Sequence, residues 1–199
     1  MQALLTFSRA IDRLNTFVGK YVIWLILAST VISGVNAIIR KAFSYSSNAY
    51  LEVQWYLFAA AFLLAAGYTL LNGEHVKIDV ISSRFSKRTQ IWMDVIGFTF
   101  FLAPMCIAIL YYGFPFFLKA WHSGEMSSNS GGLIRWPVYL MIPVGFTLLL
   151  LQGFSEWIKR VAFLQGLIDD PTAKRVEKTA EEELAEAIRR LAERDGSKA

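Results

Sequence analysis

The chain has one cysteine and two histidines in 199 residues, and only 18% of it is charged. A lone Cys106 makes no disulfide within the chain, which excludes a disulfide-stapled scaffold. The sequence has no zinc-type Cys/His spacing, no Gly-rich phosphate loop and no nucleophile elbow. Its charge content falls below the roughly one quarter typical of soluble domains, and it is not the low-hydrophobicity composition of a disordered chain. What is abundant is apolar: 55% of residues, with 15% aromatic and six Trp, and a mean hydropathy of +0.41. This excess gathers into four long runs, the pattern of a membrane protein rather than of a soluble enzyme. A pI of about 9.2 would suggest nucleic acid for a soluble domain. Here the placement of the basic residues explains it, and no nucleic-acid partner is expected.

The first run, residues 21–39 (YVIWLILASTVISGVNAII), holds no charge over 19 residues. At about 1.5 Å per residue it covers roughly 28 Å, close to one hydrocarbon core. The second covers residues 53–71, with Glu52 just before it. The third, residues 95–118, carries Pro104 and Pro115 and is expected to be long and bent. The fourth covers residues 136–157, with Pro137 in its first turn and Pro143 further in. These runs are continuous rather than alternating, which argues against a β-barrel. The fold class is an all-α membrane protein with four transmembrane helices, cytoplasmic interfacial amphipathic helices and a charged C-terminal helix.

Lys and Arg set the orientation. Sixteen of the twenty lie in the leader, the second connection and the tail; Arg40, Lys41, Lys119 and Arg135 occupy the alternate loops. The positive-inside rule then makes both termini cytoplasmic, in a bacterial inner membrane on the family resemblance given below. Trp55, Trp92, Trp121, Trp136 and Trp157 lie near span ends, as an aromatic belt requires. Val35-Asn36-Ala37 has the look of a cleavage site, but its run is too long for a signal core and follows a 20-residue leader, so the run is read as a span.

Three segments read as amphipathic helices lying in the headgroup plane. In the leader, residues 1–20, Leu4, Phe7, Ile11, Leu14 and Val18 recur at helical spacing, with Arg9, Asp12, Arg13 and Thr16 largely between them. After the second span, Ile78, Ile81 and Phe85 stand against Lys77, Arg84, Lys87 and Arg88. After the fourth, Val161, Leu164 and Ile168 follow Lys159 and Arg160. The transmembrane domain is thus bounded at residues 21–168, and residues 169–199 form a charged cytoplasmic tail. In the tail Asp170 can cap a helix opened by Pro171, with Val176, Ala180, Leu184, Ile188 and Leu191 as a narrow stripe.

The span midpoints fall near Thr30, Phe62, Cys106 and Phe146, none of them charged. A transporter working alone usually places ionisable groups there, where each costs at least ~2.5 kcal/mol on insertion scales. Glu52, Asp94 and Glu156 instead sit at span ends. His75 and His122 fall at opposite ends of the spans and cannot share a haem. Neither an enzyme nor a cofactor is expected. Helix packing is well supplied: Ser29, Ser33 and Ala37, then Ala61 and Ala65, recur at four-residue spacing. Asn36, Gln54 and Gln152 add polar groups that need partners. Ser130-Gly131-Gly132 reads as a turn.

Residues 51–79, LEVQWYLFAAAFLLAAGYTLLNGEHVKID, resemble the small membrane subunit of tripartite ATP-independent periplasmic (TRAP) transporters. The matching features are Glu52 opening the second span, the small-residue-rich helix, and Gly73, His75, Val76, Ile78 and Asp79 after it. Trp136-Pro137-Val138-Tyr139 and Ile142-Pro143-Val144-Gly145-Phe146 resemble the family's fourth span. The likeness covers about residues 7–165; the charged tail is longer than the family leads one to expect. The resemblance implies a non-catalytic scaffold for a large multi-span subunit. That subunit would carry sodium and substrate sites, and a periplasmic binding protein would deliver an organic acid. Membrane lipids are the other expected partner.

Candidate subunit contacts are Glu52, Ala61, Ala65, His75, Asp79, Glu125 and Arg135. His75 and Asp79, four apart, share a helix face and either cap the turn after span two or meet another subunit. Glu52 either pairs with Arg40 or Lys41 or faces the large subunit. Glu125 and Arg135 are candidates for contact with the binding protein. Two other classes remain: a homo-oligomeric small transporter or channel, and a membrane organiser acting through the tail.

Overall fold

A 29-residue helix, the most deeply buried of the described elements, packs against each of the others and organises the fold. The computed structural model describes residues 2–45, 47–73 and 85–170. The elements are α1 (Gln2–Phe43), α2 (Asn48–Leu71), α3 (Lys87–Gly97), a π-helical turn (Phe98–Leu102), α4 (Ala103–Ser123) and α5 (Trp136–Leu164). Four helical stretches are long and apolar enough to cross a membrane: α1, α2, the continuous run Lys87–Ser123, and α5. The candidate tail helix and the pair His75 and Asp79 lie outside the described residues.

Local chemistry fixes the boundaries. Ser47 caps α2 by accepting from the Ala49 N–H at 3.3 Å, and Ser86 caps α3 through the Thr89 N–H at 3.4 Å. Gly124, at φ 61°, ends α4 in the left-handed region that a side chain disfavours. Pro137 sits in the first turn of α5, where its missing N–H costs nothing. The π turn has its own cause. Pro104 has no N–H to offer the Phe100 carbonyl and its ring crowds that oxygen, so the turn before it widens. Ala103 accordingly donates five residues back, to Phe98.

α5 packs against α1, α2, α3, the π turn and α4. Twelve of its residues are buried, against five in the longer α1. Small residues set the spacing. A Cβ on Gly145 would lie 2.7 Å from the Leu63 carbonyl oxygen, so α2 and α5 meet backbone to backbone. Leu102 of the π turn fills the space left by Gly153. The pairs Ser29 with Gln54 and Gly19 with Tyr68 show α1 antiparallel to α2. Leu63 at Gly145 with Gly67 at the Leu148 carbonyl shows α2 parallel to α5, and Gly113 at Ile142 with Leu102 at Gly153 shows α4 antiparallel to it. The four spans therefore run up-down-up-down. Residues up to Asp169 form one compact unit, and those from Asp170 onward a separate one.

Two of the expected interfacial segments are parts of the spans. The leader is the first half of α1, one helix of 42 residues that runs through residue 20 without a break. Its length is about 63 Å, twice a hydrocarbon core. Its buried face is only partly the apolar one: Ile11 is buried beside Ser8 and Asn15, while Leu4, Phe7 and Leu14 are exposed. Val161 and Leu164 similarly prolong α5 to Leu164, and Lys87 and Arg88 open α3. The physical reason is shared: no proline or glycine pair interrupts these stretches, so the helix of each span simply continues.

The close approaches make a differential prediction. Gly145→Val should destabilise the fold by about 1–3 kcal/mol, because backbone cannot yield as a side chain does. Gly34→Val, with nothing within 4 Å of its would-be Cβ, should leave thermal unfolding in detergent nearly unchanged.

Candidate functional site

Polar side chains gather at two places: the end carrying the 44–47 and 124–135 connections (the loop end) and the end carrying the N-terminus and Leu164 (the terminal end). At the loop end the organiser is Glu52, in the second turn of α2 and only 2% exposed. One carboxylate oxygen accepts from the Ser127 hydroxyl and, at 2.9 Å, from Asn129 Nδ2; the other accepts from the Leu133 N–H at 2.6 Å. The 125–135 connection thus folds around one acid. Its own backbone closes the turn, through Ser127 N–H to Leu133 O at 2.8 Å, Arg135 N–H to Glu125 O at 2.9 Å and Gly132 N–H to Asn129 O at 2.9 Å. Gly131, at φ 71°, supplies the left-handed residue that the turn at residues 129–132 needs. Asn48 Nδ2 and the Tyr56 hydroxyl, both from α2, donate to Ser130 O and Ile134 O at 3.0 and 3.1 Å.

Of the two alternatives for Glu52, pairing with Arg40 or Lys41 is not what the fold shows: its partners lie in a loop some 75 to 81 residues further along the chain. Arg135 and Glu125 pair with each other at 3.3 Å and stay partly exposed, at 32% and 41%. The Tyr139 hydroxyl accepts from Arg135 Nη1 at 3.4 Å. That bond first, and the Glu125 carboxylate after it, raise the guanidinium pKa above its ordinary value. Ala61 is 3% exposed and serves packing within this chain, while Ala65, on the same helix, is partly covered.

At the terminal end the cluster is larger and spans three helices. Asp12 of α1 accepts from Gln152 Nε2 at 2.9 Å and the Ser155 hydroxyl at 2.8 Å, and pairs with Lys159 at 3.2 Å. Asn15 Nδ2 donates to Gln152 Oε1 at 2.9 Å, and the Ser8 and Ser155 hydroxyls share a 2.6 Å bond. Glu156 pairs with both Lys159 and Arg160. Arg160 reaches Asp94 of α3 at 2.8 Å and lies over the Phe98 ring, 4.7 Å from its centroid. Asn15, Gln152 and Ser155 are fully buried. Ser8, Asp12 and Asn15 of α1 and Asp94 of α3 all meet side chains of α5, and the cluster ties both helices to it.

Sequence reading marked Gln152 as a polar group in need of a partner, but not Ser8, Asp12, Asn15, Ser155, Lys159 and Arg160 as one site. The available signal was the spacing Ser8, Asp12, Asn15 on the leader against Gln152, Ser155 and Lys159 on α5. Each triplet follows the three-to-four-residue repeat of one helix face.

Among the described residues no group of three or more His, Cys, Asp or Glu is placed to hold a metal ion. Cys106 is a buried free cysteine within a membrane-spanning run. The four long apolar helices define a multi-pass α-helical membrane protein. A family model for tripartite ATP-independent periplasmic transporters, DctQ component, matches residues 16–163, and the chain belongs to that family. It is thus the small membrane component of a TRAP transporter, a type of system that also has a large membrane subunit and a substrate-binding protein. No curated protein and no solved structure is significantly similar to it.

Two outcomes follow from the clusters. Glu52→Ala should free the 125–135 connection, so that hydrogen exchange at the Leu133 amide accelerates at least about tenfold while the α5 amides keep their protection. Gln152→Leu should cost about 1–3 kcal/mol of unfolding free energy by leaving the buried Asn15 amide without its Gln152 partner and taking one donor from Asp12. Asn15→Leu combined with it should recover part of that loss, a coupling of about 0.5 kcal/mol or more in a double-mutant cycle.

Proposed function

We propose that this chain is a non-catalytic scaffold, holding the large subunit of a TRAP transporter in place during sodium-coupled uptake of an organic acid. The observation that carries this reading is where the ionisable groups lie. Among the described residues the ion pairs occupy the loop end and the terminal end, and all of them close within the chain. The helix interior between them is packed by Ala61, Cys106, Leu148, Leu149 and glycines. A solute or proton crossing the membrane needs groups at mid-depth that change partners. A support needs the opposite, helices locked to one another at both ends.

The orientation follows the charge. With both termini cytoplasmic, in a bacterial inner membrane, the Glu52-centred loop and the Glu125–Arg135 pair face the periplasm, where a binding protein delivers its cargo. The Asp12–Arg160 cluster then lies on the cytoplasmic side, where the excess of Lys and Arg also falls.

Reconstitution tests the role. Proteoliposomes holding the large subunit and supplied with the binding protein should take up substrate under a sodium gradient only when this chain is present. The chain alone should give no uptake with any solute. Solute flux through the chain by itself would overturn the scaffold reading. For the orientation, Ser128→Cys should react with a membrane-impermeant maleimide added outside spheroplasts, and Ser86→Cys should not; the buried Cys106 keeps the background low.

A further inference from the structure

We propose that the large subunit docks one of its membrane helices in the groove between α4 and α5, hydrogen-bonding to Tyr111 and Tyr112. This inference rests on the scaffold reading and names the surface through which it works. The groove has a volume of about 430 Å³ and is lined by Ala108, Ile109, Tyr112, Gly113, Phe116 and Ile142. It exists because Gly113 lets α4 come close to α5: a Cβ there would lie 3.2 Å from Ile142 Cγ2. The Phe116 ring, 4.4 Å from that of Tyr139, forms one wall.

The tyrosines choose the occupant. Tyr111 and Tyr112 are 72% and 73% exposed, with their rings edge to face at 5.1 Å. Neither hydroxyl has a hydrogen-bond partner among the described residues. Counted along the helix at 1.5 Å per residue, they lie five and six residues, about 8–9 Å, from Cys106 at the midpoint of the apolar run. That is well inside the half-thickness of the hydrocarbon core, about 15 Å. An acyl chain offers a phenol no acceptor, and the lipid esters lie at the interfaces. A hydroxyl left without a partner in such a medium is costly. A packed helix supplies acceptors at that depth, through Ser or Thr side chains or through carbonyls exposed beside small residues.

The exposed face of α1 makes the contrast. Trp24, Leu27, Val31, Val35 and Ile38 point outward there, and Thr30 spends its hydroxyl on the Ile26 carbonyl at 2.9 Å. Apart from the Trp24 indole N–H, which lies near the end of the run, those groups ask nothing of lipid. Of the two faces, the α4 side therefore fits a protein and the α1 side fits acyl chains.

Site-specific photo-crosslinking in the native membrane tests this, with p-benzoylphenylalanine placed at Tyr112 or Phe116 on one face and at Trp24 or Val31 on the other. Crosslinks to the large subunit from positions 112 and 116, and none from 24 and 31, are expected. The double variant Tyr111→Phe/Tyr112→Phe, which keeps both rings, should retain roughly tenfold less large subunit in detergent pull-down. Crosslinks from the α1 positions alone would overturn the groove as the docking face while leaving the scaffold reading intact. So would crosslinks from 112 and 116 that reach only lipid or a second copy of this chain. If the untagged large subunit fails to copurify with the wild-type chain at all, the scaffold reading itself fails.

Discussion

Gln152 is the residue on which the arrangement of helices turns. It is fully buried, and its one amide group meets Asn15 and Asp12 of α1 and Glu156 of its own helix. In a membrane there is no water to take over a lost bond, so a buried amide holds its neighbours in one register. From Gln152 the linkage passes through Glu156 to Arg160, and from Arg160 to Asp94 and the face of Phe98. The π turn that places Phe98 and Leu102 against α5 is itself set by Pro104. A single connected set of polar contacts thus fixes α1, α3 and α5 at one end.

The other end is fixed by a different device. Glu52 gathers a connection of eleven residues around one carboxylate, and α2 adds Asn48 and Tyr56 to hold its rim. Between the two ends the spacing is set by glycines, with Gly145 against the backbone of Leu63 and Gly153 against Leu102. Polar clusters clamp the ends and small residues close the middle.

The leader shows how a correct pattern can point the wrong way. Its 3.6-residue periodicity is plain in the sequence, and the apolar stripe of Leu4, Phe7 and Leu14 was read as the face that presses on lipid headgroups. Those three are exposed in the fold, and the buried face carries Ser8 and Asn15 beside Ile11, the one member of the stripe that is buried. Periodicity reports that two faces differ. It does not report which face meets protein, and in an apolar solvent the polar face has more to gain from a protein partner. The same gap explains Glu52. Its nearby basic residues were the obvious partners in the sequence, yet the loop that surrounds it begins 75 residues later, beyond the reach of any local spacing.

The sequence by itself determined that the chain spans a membrane, how many times, and which family it resembles. Hydrocarbon demands about twenty apolar residues per crossing, and that demand is written in consecutive letters. The bend-forming prolines, the helix caps at Ser47 and Ser86 and the turn at Gly131 were local in the same sense. Only the tertiary structure decided that α1 is one unbroken helix, that α5 is the central one, that Ala61 is consumed by internal packing, and that the phenols of Tyr111 and Tyr112 are left unpaired. Each of these depends on which side of a helix finds a neighbour, and neighbours are chosen by contacts between residues far apart in the chain.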